Sequence, residues 1–469
     1  MAASIHKVRM ESGCRPLDWL RAVAGEPCPV LLESSLHEGY LGRYSILCWE
    51  PFKRLTCRGG EVEIEDLRRG TRATVAGSPF RVLSREFDAH RIVTPPDFDL
   101  PFAGGAIGYF SYDLRHSVEK LPRWCSYDLP VPEFILCFYD RAVVFDHRLR
   151  LTDYVGPEGS APPRPLPAPG GDGGSPPEIE GVELESNFTR AGYVEAVERT
   201  KEYIAAGDIF QANLSQRFEG ECPAEGLTVY ERLRAVNPAP FSAYMKYPAF
   251  EVISSSPERF LLLEGDGVFT RPIKGTRPRI EGDDVFNRRM REELLASAKD
   301  HAELAMIVDL ERNDLGRVCR YGSVRVSEHA VLETYPTVYH LVSTVRGRLY
   351  REQYDEFALL RATFPGGSIT GAPKIRAMEI IEELEPHARN LYTGSIGYVS
   401  FHGRMDLNIV IRTMLKMGGR IYMQVGGGIV ADSEPELEYQ ETLHKGRALF
   451  QAVNAVNYAE IMELAAHGG

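Results

Sequence analysis

The stretch LNIVIRTMLKMGGRIYMQV, Leu407 to Val425, decides the fold. Its first half, Leu407 to Leu415, alternates with the period of two that a strand imposes. Lys416, Met417, Gly418, Gly419 and Arg420 then lead into a second apolar run, Ile421 to Val425, and glycines between two such runs mark a hairpin. Strands joined by hairpins pair antiparallel and need helices over their apolar faces. This points to an α+β arrangement rather than a doubly wound parallel sheet. Outward from it, Pro29 to Glu33, Ala103 to Phe110, Phe134 to Phe145 and Tyr339 to Val345 also read as strands, while Phe188 to Ala206 and Val285 to Leu310 carry apolar residues at helical spacing. Gly and Pro gather from Gly156 to Gly181, where little can be buried. That stretch reads as a linker or disordered excursion (156–181) between an N-terminal region (1–155) and a C-terminal region (182–469).

At 43% hydrophobic and 26% charged, 469 residues are enough for one large or two ordinary cores and exclude a disordered chain. Sixty-six acidic residues against 54 basic ones give a net charge of −12, which argues against nucleic acid or an anionic membrane as partner. A small molecule or a protein is expected instead. The eight cysteines are scattered with no C-x-x-C spacing and read as reduced thiols. MAASIHKVRMESGCRPLDWL lacks the apolar core of a secretory signal, and no stretch reaches the length of a membrane span. The expectation is a cytoplasmic protein.

Three constellations could carry chemistry. In the first, SSSPERF (Ser254–Phe260) precedes RPIKGTRPR (Arg271–Arg279), which frames Lys274 with prolines and a glycine. A lysine is a nucleophile only once its amine, ordinarily near a pKa of about 10.4, is deprotonated by burial or by neighbouring cations. The three nearby arginines would push that way; a surface lysine is the alternative. Glu258 could act as a general acid if burial raises its pKa, or simply pair with Arg259 or Arg271. In the second constellation, Asp300 and Glu303 share one helix face and Glu438 and Glu441 another, each pair at i, i+3. Four carboxylates from two helices suit magnesium, unless both are solvated faces. Leu304 to Val308 surround the first pair, so Glu303 is expected to be partly buried. The third is glycine-rich: FPGGSITGAPKIRAM enters a helix with Thr370 as N-cap and Pro373 in its first turn, and QVGGGIVADS follows a strand. Free backbone N–H groups there can hold an anion. Arg412, on a strand, and Lys445, one turn past Glu441, would complete a pocket for a carboxylate-bearing ligand. Ordinary turns and surface charges are the alternatives.

The series PIKGT, DLERNDLGRV, TVYHLVSTV, GSITGAPKIRAM, GSIGY and GGGIVADSEPELEYQET closely resembles the chorismate-utilising family, which includes anthranilate synthase component I, isochorismate and salicylate synthases, and aminodeoxychorismate synthase component I. LLESS and GGAIGYFSYDLR resemble its amino-transferring members. The resemblance covers nearly all of Phe188 to Phe450 and implies two antiparallel sheets packed in a sandwich flanked by helices, with a magnesium-dependent site. One position separates the reactions: anthranilate synthases have alanine where this chain has Lys274, and isochorismate and salicylate synthases have their lysine where this chain has Gln211. The combination here resembles the aminodeoxychorismate synthase component I branch, on the route to 4-aminobenzoate and folate.

That resemblance implies Lys274 and Glu258 as catalytic residues, with His340 near the reacting C4. It implies Ser368, Tyr398, Arg412, Gly428 and Lys445 as chorismate binders, and Mg²⁺ held by Glu303, Glu438, Glu441 and Asp300, the last standing where anthranilate enzymes have glutamate. The chain offers no glutamine amidotransferase motif, so a separate amidotransferase subunit supplying ammonia is the implied partner. Ser34, Arg43, Tyr44, Pro240, Phe241 and Ser242 match a pocket that holds tryptophan in relatives; packing between the N-terminal part and the core is the alternative. Anthranilate synthase component I and a non-catalytic chorismate or tryptophan sensor are the competing functions.

Overall fold

The computed structural model describes residues 5–11, 13–36, 41–162, 176–335 and 338–466. Two antiparallel sheets of twelve strands each account for the architecture. The alternation of apolar side chains builds them in layers. On Phe134–Tyr139, Ile135, Cys137 and Tyr139 enter a core between the sheets, while Phe134, Leu136 and Phe138 enter a second core under helices. On Tyr44–Cys48, Ile46 and Cys48 face the inter-sheet core and Leu47 faces a third, covered by Pro16–Val23, Arg190–Ala205, Gly226–Val236 and Pro435–Ala452. Strands buried on both faces read as continuous apolar runs, and the sandwich flanked by helices is the expected α+β fold.

Both sheets mix strands from either side of the Pro/Gly-rich stretch. In the first, Val30–Glu33 pairs with Phe241–Lys246; in the second, Gly105–Phe110 pairs with Ser395–Ser400. Strand Leu151–Pro157 enters the first residues of that stretch, and 163–175 lie outside the described residues.

The structure corrects four local expectations. The hairpin exists, with Met417 opposite Arg420, but Leu407 to Leu415 is not one strand. Met405–Asn408 belongs to the second sheet and Thr413–Met417 to the first; the chain changes sheets between them, with Arg412 in left-handed backbone (φ 52°). The alternation survives the crossing because each part keeps its period on its own sheet. Phe134 to Phe145 splits in the same way into Phe134–Tyr139 and Ala142–Asp146. The helix expected from Val285 to Leu310 is two, Asp284–Ala296 and Ala298–Gly316, because the Ser297 hydroxyl accepts from the Asp300 amide and starts a new helix. Thr370 is not the N-cap: it ends the short 3₁₀ helix Gly367–Ile369, Gly371–Ala372 pairs as a short strand with Gln211–Glu221, and Pro373 stands just before Lys374–Leu384.

Gly108 lies where the second sheet is tightest, and a Cβ there would meet the Ile135 carbonyl oxygen. Gly108→Ala is therefore expected to cost about 3 kcal/mol, read as a lowered thermal midpoint by circular dichroism.

Candidate active site

A second crossing lies beside the first. Glu251–Ser256 belongs to the first sheet and Arg259–Glu264 to the second, with Glu258 between them. The crossings are tied together: the Ile409 amide donates to the Glu258 carbonyl (3.0 Å), the Ser255 amide to the Arg412 carbonyl (3.0 Å), and the Ser256 hydroxyl to the Ile409 carbonyl (2.5 Å). Glu258 and Arg412 thus share one joint between the sheets.

The Glu258 side chain is buried, and Ser368 donates to its Oε1 (2.7 Å). It pairs with neither expected arginine: Arg259 forks onto Asp406 (2.9 Å, both bonds), and Arg271 binds Glu328 (2.5 Å) and Glu333 (2.6 Å). Burial pushes the Glu258 carboxyl up to about 7, against the Ser368 bond and the nearby Lys274 charge. A further buried acid, Glu311, accepts from Thr270 (3.0 Å) and is pushed well above the carboxylate range by burial and by Glu258. Periodicity gave no sign of it.

Lys274 lies on Ile273–Pro278, where the register slips at Gly275 (φ 75°). A side chain at Gly275 would collide with Leu294 and Asp300, so this glycine lets the two helices close on the strand. The Lys274 amine faces Glu303 (3.8 Å). The arginines expected to press on it are engaged elsewhere, Arg277 with Glu293 (2.8 Å) and Asp300 (3.3 Å). Opposite, a Cβ on Gly428 would stand 3.3 Å from Lys274 Nζ and 2.5 Å from Gln211 Nε2. A side chain at this position would collide with Gln211, so glycine lets the strand approach these groups closely. The buried Gln211 amide has no hydrogen-bond partner among the described residues for either its nitrogen or its oxygen.

Glu438 and Glu441 flank the same strand, 3.2 and 3.4 Å from where a Cβ on Gly427 would stand. Ser433 donates to Glu438 (2.5 Å) and Lys299 lies 4.0 Å from it; burial and the Glu441 charge raise its pKa. Lys445 pairs with Glu441 (2.5 Å), holding that carboxyl below its ordinary range, and donates to the Gly426 carbonyl (3.1 Å). Among the described residues no three acidic, histidine or cysteine side chains form a closed metal cluster. Two adjacent carboxylates with Glu303 across Lys274 do fit the donor chemistry of magnesium, which keeps waters and takes few protein oxygens. Asp300 is committed to Arg277 instead.

Arg412 completes the cleft. Its guanidinium makes no hydrogen bond or ion pair among the described residues, and burial pulls it below its ordinary value, opposed by Tyr392 and Glu441. His340 bonds Thr276 through Nδ1 (2.9 Å); burial lowers it to about 4, with Arg412 adding to that, so the ring is neutral near pH 7. Ser368 is spent on Glu258 rather than left open for a ligand.

Tyr398 is not among these groups. It stacks edge-on against Phe102 (5.8 Å) and accepts from Arg404 (3.2 Å), facing the inter-sheet core because its strand alternates that way. The tyrosine at the cleft is Tyr392, beside Gly426 and Arg412; it lies just ahead of GSIGY and carries no signal of its own. Tyr398 instead lines a cavity of about 340 Å³ that also gathers Ser34, Arg43, Tyr44, Pro240, Phe241 and Ser242. The Ser34 hydroxyl donates to the Pro240 carbonyl (2.9 Å), Arg43 pairs with Asp146 (2.8 Å), and the Arg43 guanidinium covers the Tyr44 ring (4.6 Å).

Comparison with known proteins bears on this arrangement. Residues 29–451 match the family of chorismate binding enzymes. The chain belongs to that family. It is 43% identical to aminodeoxychorismate synthase component 1 of Salmonella typhimurium over 89% of this chain and 91% of that one. It is 42% identical to an anthranilate synthase component 1 of Haloarcula marismortui over 81% of each. Anthranilate synthase component I from Streptococcus pneumoniae superposes with a TM-score of 0.76 at 31% identity, covering 88% of this chain and 93% of that one. This chorismate-binding enzyme therefore has relatives of both reactions at similar distance. No helix among its described residues is long and apolar enough to cross a membrane.

In this chorismate-utilising enzyme a carboxyl poised at about 7 is protonated below that pH and loses its proton above it. With free ammonia held constant, kcat/KM should fall as pH rises through about 7, and Glu258→Gln should lower turnover about 10²–10⁴-fold and abolish that limb. Steady-state kinetics across pH 6–9 checks both.

Proposed function

We propose that this enzyme is an aminodeoxychorismate synthase component I, converting chorismate and ammonia to 4-amino-4-deoxychorismate through a covalent adduct on Lys274. The observation that carries the reading is the Lys274 amine close against Gly428, 3.3 Å from where a Cβ would stand, with a buried Glu258 that has no ion-pair partner among the described residues at hand. In this reading, the Lys274 amine adds to ring C2, the double bonds shift, and the C4–oxygen bond breaks as Glu258 gives the leaving hydroxyl its proton. Ammonia then bonds to C4, and the reverse shift breaks the C2–lysine bond. Splitting one substitution into two displacements lowers each barrier and directs nitrogen to C4.

Arg412, which makes no ion pair among the described residues, would bind a substrate carboxylate, and neutral His340 would stand near C4. Glu303, Glu438 and Glu441 would hold Mg²⁺. The ion would polarise the ring carboxylate and offset negative charge. Ammonia would come from a glutamine amidotransferase subunit docking over the C4 side, the product feeding 4-aminobenzoate and folate synthesis.

With chorismate, Mg²⁺ and ammonium salts, the wild type should yield aminodeoxychorismate, and Lys274→Ala should shift amination to C2, seen as fluorescent anthranilate. Anthranilate from the wild type would favour the other branch, and no turnover would favour a sensor. The 340 Å³ cavity offers room for tryptophan. Mass spectrometry of denatured protein should release it; its absence, with no binding by calorimetry, would leave the cavity to another ligand.

A further inference from the structure

Strand Gln211–Glu221 has a polar face that the proposed reaction leaves unused. Ala212, Leu214 and Phe218 enter cores under the helices, so Gln211, Asn213, Ser215 and Arg217 form a row on the other face. At one end of the row the protein supplies partners. The Ser215 backbone N–H and hydroxyl donate to Glu385 (2.9 and 2.7 Å), Gln424 donates to that hydroxyl (2.8 Å), and Arg217 forks onto Asp128 (3.0 and 2.6 Å). At the other end it does not. Asn213 is only 6% exposed, and its Nδ2 has no hydrogen-bond partner among the described residues, like the Gln211 amide beside it. A buried amide nitrogen without a partner is rare and costs stability.

Register places this amide in the cleft. Asn213 stands directly opposite Gly428, and directly opposed residues of an antiparallel pair present their side chains on one face. A Cβ on Gly428 would be 3.3 Å from Lys274 Nζ; two residues back, a Cβ on Gly426 would be 2.9 Å from the Tyr392 hydroxyl. Asn213 thus shares its face with the Lys274 amine at one end and with Tyr392, beside Arg412, at the other. Its backbone is fixed. The Asn213 N–H donates to the Thr370 carbonyl (2.8 Å), and its carbonyl accepts from Arg389, which Glu385 holds by two bonds (2.9 and 2.7 Å).

We infer that Asn213 is a further substrate-binding residue, its amide N–H groups donating to oxygens of the enolpyruvyl arm of chorismate. This rests on chorismate lying with C2 at Lys274 and a carboxylate at Arg412, as in the proposed reaction. With the ring carboxylate on Mg²⁺, Arg412 takes the carboxylate of the arm. The ring carbon next to C2 carries the ether oxygen of that arm, so a residue between Lys274 and the Arg412 end of the cleft faces the arm along its length. Ether and carboxylate oxygens only accept, and an amide nitrogen only donates. Substrate then supplies the partners that folding withholds.

Asn213→Leu keeps the branched outline of the side chain without the unpaired amide, and Asn213→Ala removes the amide without adding bulk. Each should lower kcat/KM for chorismate consumption about tenfold. The inhibition constant of benzoate, a ring acid without the arm, should stay at the wild-type value. In Asn213→Leu the thermal midpoint should hold or rise, because a buried unsatisfied group is gone. Wild-type kcat/KM in either folded variant, or benzoate weakened as much as chorismate, would overturn the inference. A wild type that consumes no chorismate would overturn the reading beneath it as well.

Discussion

Two places where the chain leaves one sheet for the other are hydrogen-bonded side by side, and the reaction cleft hangs on that joint. Backbone amides of Ile409 and Ser255 and the Ser256 hydroxyl fix one crossing to the other. Glu258 and Arg412 therefore sit on peptide units whose separation is set by the main chain and not by long, adaptable side chains. Groups that need no reorganisation when charge develops are the ones that accelerate a reaction most. Ser368 bonds Glu258, His340 and Tyr392 stand beside Arg412, and the glycine strand faces Lys274.

The electrostatics follow from what each charged group lacks. Glu258 has no cation bonded to it among the described residues, and burial favours its protonated form. Arg412 has no anion bonded to it among the described residues, and a desolvated guanidinium without an ion-pair partner is costly. Elsewhere charges are matched: Arg259 with Asp406, Arg277 with Asp300, Lys445 with Glu441. With Glu311, Glu258 and Arg412 are buried ionisable groups that the protein leaves without an ion-pair partner among the described residues.

Much of this was legible in the sequence. The hairpin at Gly418–Gly419 and the α+β class could be read from patterning, whereas a single site holding Glu258, Lys274, Glu303 and Glu438 was implied only by the resemblance to the chorismate-utilising family. What escaped was anything set by a change of sheet. Alternation in LNIVIRTML runs unbroken through a crossing, because both halves obey the same period on different sheets. Arg412 thus read as a strand residue rather than the hinge it is. Tyr398 was misplaced for a related reason, since strand periodicity says that a side chain faces a core but not which core. The arginines near Lys274 are close in sequence, yet the fold gives two of them to carboxylates. Charge partners that come from distant strands leave no trace in local spacing.

The proposed reaction requires a bond between the Lys274 nitrogen and the substrate ring. Enzyme mixed with chorismate and Mg²⁺ without ammonia, quenched in acid and analysed by intact-protein mass spectrometry, tests it most directly. A mass gain of chorismate less one water, mapping to the peptide that contains Lys274, is the predicted result. An unmodified protein under conditions that support turnover would contradict it.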